Sequence, residues 1–218
     1  MEESTSREKI LKRVRNALIS KLDNPYPNVE FESPVYTELD DTLDVAFAQE
    51  FTKVAGKFIY CINEIEFIEN LKILISENNW DNIFCLDEKI QSLLSNGGIA
   101  FKSSEKDFLD INVGITRCEY LIARLGSVMV SSGQKSGRRL NVYPETHIVM
   151  AYTSQLVPDL KDALKKIKKK YRNKLPSMIS VITGPSRTAD IEKTLVMGAH
   201  GPENMYVFLI EDDELTGN

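Results

Sequence analysis

The stretch VITGPSRTADIEKTLVMGAHGP, residues 181–202, holds the residue types best suited to chemistry in this chain. The apolar run MISVI delivers the chain to Thr183-Gly184-Pro185-Ser186-Arg187-Thr188, and a helical pattern is expected from Ala189. Unpaired backbone N–H groups at a helix N-terminus attract anions. Gly184 permits close approach of a ligand, Ser186 and Thr188 add hydroxyl donors, and Arg187 offers a charged fork for carboxylate or phosphate. A plain N-cap at Ser186 or Thr188, worth about 1 kcal/mol, accounts for the same residues without a ligand. Asp190 suits the first turn of a helix, and its carboxylate opposes a strongly anionic ligand unless Arg187 neutralises it. No Gly-Lys-Ser/Thr follows, so this is not a Walker loop.

The chain has two histidines. His200 lies in Gly198-Ala199-His200-Gly201-Pro202, a turn that returns toward the next strand and can face a ligand. His147 opens a strand, where a packed imidazole is the ordinary reading. A third candidate is the polar loop SSGQKSGRR, whose Lys135, Arg138 and Arg139 can hold carboxylate or phosphate or simply be solvated. Glu119 is explained by a capping-box position; Glu145, just before the strand HIVMA, is not so explained. Neither a Ser–His–acid nor a Cys–His arrangement can be assigned, and no metal-ligand spacing is present.

These residues need elements to position them. Thr5-Ser6-Arg7-Glu8 is a capping box, followed by an apolar stripe at Leu11, Val14, Leu18 and Leu22 with basic flanks. DNPYPNVEFESPVYTELD then reads as a linker, so residues 1–39 form a helix and arm before an α/β domain over residues 40–218. Leu43, Phe47, Phe51 and Val54 predict a helix that Gly56 ends. KFIYC, NIFCL, IAF, SVMVS, HIVMAY, MISVI and NMYVFLI predict strands. Asn63 and Asp87 open helices, Thr116-Arg117-Cys118-Glu119 is read as a capping box opening a helix over EYLIARLG, and Leu160, Leu164, Ile167 and Tyr171 mark another. This alternation predicts a mixed, largely parallel sheet flanked by helices.

Composition sets the outer limits. The chain has 218 residues, 42% hydrophobic, with 27 Lys+Arg against 32 Asp+Glu and a net charge of −5. That suits one globular domain and opposes a global nucleic-acid footprint. Eight positive charges between Lys161 and Lys174 are read as a solvated helix face. No apolar run reaches the ~20 residues of a membrane helix, and the N-terminus lacks a signal-peptide core, so a cytoplasmic protein is expected. Cys61, Cys85 and Cys118 are dispersed without a CxxC, so no intrinsic iron–sulfur cluster is expected and the cofactor is left open.

Together, EYLIARLGSVMVSSGQKSGRRLNVYPETHIVMA and GPSRTADIEKTLVMGAHGP resemble the LUD-domain family, of the lactate utilisation protein C type. The resemblance covers about residues 112–212, in matching order. It implies a fold similar to ribose-5-phosphate isomerase and the CoA transferases, with an N-terminal helical arm, in a bacterial cytoplasm. It implies a part in oxidising L-lactate to pyruvate beside an iron–sulfur protein and a second LUD-domain protein. Site residues carried over by motif are Gly184, Ser186, Arg187, Thr188, Asp190, His200 and Gly201, with Arg139, Pro144, Glu145 and His147 in the "R…PETHI" segment. Glu145, Asp190 and His200 are the acid–base candidates; Arg139, Gly184, Ser186, Arg187, Thr188 and Gly201 are the ligand-binding ones. Fold does not fix function. The expected role is a non-cluster subunit that binds a small anionic ligand. The alternative is a stand-alone transferase, isomerase or hydrolase acting on a phosphorylated or CoA-linked acid.

Overall fold

A computed structural model describes residues 5–19, 26, 28, 36–104, 108, 111–136, 138–172, 174–188 and 196–212. Contacts divide the chain into two units, Met1–Glu38 and Leu39–Asn218. In the first, α1 (Ser6–Ile19) is opened by a reciprocal cap: Glu8 N–H donates to Thr5 Oγ1 (3.4 Å) and Thr5 N–H to Glu8 Oε2 (2.8 Å). Its apolar stripe, with Leu11, Val14 and Leu18, is exposed. Leu22 and most of the expected linker lie outside the described residues.

The second unit is built on a five-stranded sheet in the order β1-β11-β6-β3-β2. These strands are Lys57–Cys61, Asn204–Ile210, Thr146–Tyr152, Val113–Arg117 and Ile83–Cys85, and every pairing is parallel. The near-continuous apolar run NMYVFLI is explained by its central place. Tyr206, Phe208 and Ile210 face a core with α3 (Glu64–Asn78) and α4 (Glu88–Asn96); Met205, Val207 and Leu209 face the other core. Asn63 and Asp87 cap those helices as expected, each accepting from two backbone N–H groups.

The opposite core contains α2 (Leu43–Lys53) and the inner face of a second sheet, in the order β7-β4-β5-β8. Its strands are Leu156–Val157, Tyr120–Ile122, Ser127–Ser131 and Ile179–Ile182. It is mixed: β4–β5 and β5–β8 are antiparallel, whereas β4–β7 is parallel. α5 (Leu160–Tyr171) covers its outer face through Ala163 and Ile167 against Ile122 and Met129.

Three expectations are corrected. EYLIARLG is not a helix: it is β4 followed by one 3-10 turn, Ala123–Leu125. Leu121 and Ala123 enter one core and Ile122 the other, so a strand buried on both sides presents the apolar run of a helix. IAF is not a strand; the residue after it, Lys102, makes a single bridge to Phe84. The end of α2 is turned by Ala55 at φ 65°, while Gly56 is needed because a Cβ there would lie 2.4 Å from the Phe51 ring.

Candidate ligand site

Three segments meet around a cleft of about 130 Å³. Asn141, Val142 and His147 come from the approach to β6 and its second residue. Ile182, Gly184, Pro185 and Ser186 come from the end of β8 and the turn after it. His200, Gly201 and Pro202 come from the approach to β11, and Met205 is its second residue. The sequence places the GPSR turn at the carboxyl edge of a parallel sheet. It follows a strand of the mixed sheet instead, and the cleft lies where β6 and β11 begin, at the amino ends of the parallel strands.

The two motif segments are joined through their backbones. Ser186 N–H donates to the Pro202 carbonyl (2.8 Å), and Gly198 N–H donates to the Ser186 carbonyl (2.9 Å). Arg187–Thr188 (β9) then pair antiparallel with Val196–Met197 (β10). The helix expected from Ala189, together with Asp190, falls on residues 189–195, outside the described residues; on either side of them the chain is extended. Gly184 has φ +74°, and a Cβ on it would lie 2.5 Å from the Val54 carbonyl oxygen. Its missing side chain seats the turn on the end of α2.

His147 is the group that sequence reasoning undervalues. Its side chain is on the face of β6 shared with Val149 and Ala151, and it is 0% exposed. Nε2 lies 2.8 Å from Thr116 Oγ1 on β3, and Nδ1 is buried with no hydrogen-bond partner among the described residues. Burial pushes its pKa down to about 4, so the imidazole is neutral near pH 7. The available signal is parity: a histidine in phase with apolar residues on a buried strand must find polar partners.

Gly184, Ser186, His200 and Gly201 therefore share one wall system, with His147 added. Of the other expected residues, Arg139, Glu145, Arg187 and Thr188 do not line it, and Asp190 lies outside the described residues. Arg187 and Thr188 sit in β9, and Arg139 places its guanidinium 4.1 Å over the Phe108 ring. Glu145 borders a separate depression of about 270 Å³ with Lys57, Trp80 and Asn112. Among the described residues, the cleft wall thus contains neither Lys nor Arg. Among the described residues no three His, Cys, Asp or Glu side chains come together as metal ligands, and the three cysteines are buried free thiols.

Glu119 departs from its expected capping role. Its carboxylate is fully buried and accepts from Ser131 Oγ (2.5 Å), Tyr171 OH (2.6 Å) and Lys170 Nζ (2.7 Å). Burial raises its pKa, but Lys170 and the two hydroxyls outweigh that and hold it below the ordinary value. The network ties α5 to the mixed sheet. Replacing Lys170 with Met leaves a buried carboxylate with two neutral donors; because Lys170 is half exposed, a cost of about 2 kcal/mol at pH 7 is expected. Urea unfolding of the variant measures it, and the midpoint of acid unfolding should move to higher pH.

The LUD domain family matches residues 46–210, which include both sheets and the whole cleft. The chain belongs to the LUD domain family. Curated relatives of this LUD domain include proteins named lactate utilization protein C. The protein of that name from Bacillus licheniformis is 38% identical over 103 residues, covering 46% of this chain and 43% of its own length. The one from Bacillus subtilis is 40% identical over 103 residues with the same coverage. The chain therefore spans under half the length of these relatives. A DUF162 family protein from Deinococcus radiodurans has a solved structure that is 14% identical, with a TM-score of 0.56, covering 77% of this chain and 96% of that one. That likeness is one of fold: α/β, with a largely parallel sheet flanked by helices.

Proposed function

We propose that this LUD domain protein is a subunit of a bacterial L-lactate oxidation system, in which L-lactate becomes pyruvate. The reading is carried by the match to relatives named lactate utilization protein C. The partners would be an iron–sulfur protein and a second LUD-domain protein, in the cytoplasm. No described helix is long and apolar enough to cross a membrane, which suits that setting. The cysteines suit a non-cluster role: Cys85 and Cys118 are buried thiols with pKa values pushed up to about 12 by burial, poor starting points for metal thiolates. In this reading the cleft binds a small ligand, and the electron-carrying chemistry belongs to the partners.

The test is reconstitution. Lactate-dependent dye reduction by the copurified partners should fall at least tenfold when this chain is left out and return when it is added. Equal dye reduction without it would remove the proposed role.

A further inference from the structure

The cleft beside Ser186 and His200 combines a short list of chemical demands. Its walls are mainly apolar, through Val142, Ile182, Pro185 and Met205. Its polar groups include the Ser186 hydroxyl and the imidazoles of His147 and His200, and among the described residues no Lys or Arg lines it. A volume of about 130 Å³ admits a head of roughly four to six heavy atoms. His147 Nε2 is already engaged by Thr116, so Nδ1 is the ring nitrogen left to satisfy. A buried polar atom without a partner is costly, and a ligand hydrogen bond recovers that cost.

We infer that this cleft is a binding site for the uncharged, hydrogen-bonding end of a small molecule, a hydroxyl, carbonyl or amide on a short apolar stem, with His147 Nδ1 as its anchor. The inference rests on the cleft being a ligand site, as the proposed function has it, but not on lactate oxidation. A carboxylate is the wrong head here. It would lose its hydration among apolar walls with no cationic side chain among the described residues to receive it. A neutral group loses less and matches a neutral imidazole, which donates or accepts at Nδ1 according to its tautomer. Any charged part of the same molecule would stay at the rim, where His200 is exposed. Arg139 and Arg187, expected to hold an anion, are not among the described residues that line the cleft.

Acetamide and acetate test this on the full-length chain, because they share a shape and differ in charge. The imidazole ¹⁵N resonances of His147 report binding without any variant. Acetamide should shift them in a saturable way, and acetate should bind at least tenfold more weakly. The His147→Gln variant should lose the acetamide response; if it does not fold, Ser186→Ala should weaken it instead. Acetate binding as tightly as acetamide would overturn the inference. So would unmoved resonances at 100-millimolar-scale acetamide, which would leave the cleft to water alone. Either result can coexist with lactate-dependent dye reduction that needs the chain, so the two readings fail separately.

Discussion

Gly126→Ala should remove more than about 4 kcal/mol of stability, enough to unfold much of a typical domain. Gly126 closes the 3-10 turn between β4 and β5 with φ +54°. A Cβ there would lie 2.2 Å from the Phe51 backbone nitrogen and 2.4 Å from the Glu50 carbonyl carbon. Those are main-chain atoms of α2, so no side-chain rotation relieves the clash. The helix must move away from a core in which Phe47 and Phe51 are fully buried and stacked at 5.4 Å. Gly98→Ala is the control. Gly98 has φ +69°, but a Cβ there would meet nothing within 4 Å, so that change isolates the backbone cost, about 1 kcal/mol. Urea unfolding of both variants separates the two contributions. Similar losses would mean that α2 is not held against the turn.

His147 should make the protein lose about 3 kcal/mol as pH falls from 6.5 to 4. Above pH 6.5 the imidazole is neutral in both folded and unfolded chains, and no penalty exists. Between the ordinary value and about 4, the unfolded chain takes up a proton that the folded one refuses. Unfolding therefore becomes easier by about 1.4 kcal/mol per pH unit across that window. Below it both states are protonated, and the difference stops growing. Carboxylates titrate in the same range, so the informative quantity is the difference between wild type and His147→Gln. That difference should change by about 3 kcal/mol between pH 7.5 and 4. A flat difference would show that the folded imidazole accepts its proton normally. His200, which also lines the cleft, is common to both proteins.

Much of the architecture is legible because local chemistry and tertiary role agree. Asn63 and Asp87 are N-caps by type and by geometry. Strands such as β6 and β11 announce themselves because a parallel strand covered on both faces needs an unbroken apolar run. That signal fails at β4, where residues 120–125 mimic a helix and the preceding Thr116 and Glu119 mimic its cap. Thr116 instead meets His147, and Glu119 receives Lys170. The second sheet is hidden with them, since its order joins segments far apart in the chain.

The site is legible in part for a related reason. The GPSR and HGP turns declare themselves through residue type, and Ser186 joins them. Charge is a poorer guide. Arg139 and Arg187 suggest an anion, yet a long side chain can turn away from a nearby cavity, and Arg139 stacks on Phe108. His147 is easily passed over because a strand histidine is usually inert; its unmatched nitrogen is a fact of three-dimensional packing. Asp190 lies outside the described residues.

The strand order carries a consequence for how the molecule is made. β11 is the last of the described strands, yet it lies between β1 and β6, pairing Lys57 with Tyr206 and Asn204 with Thr146. While a ribosome extends the chain, β1 has no native neighbour and β6 offers an open edge until that final segment arrives. Closure of so long a loop is slow, which lengthens the interval in which apolar edges stand exposed. The cleft shares the delay, since Pro202 and Met205 enter with β11. The cleft is therefore completed only by one late insertion, and a chain stalled short of it lacks part of the cleft wall.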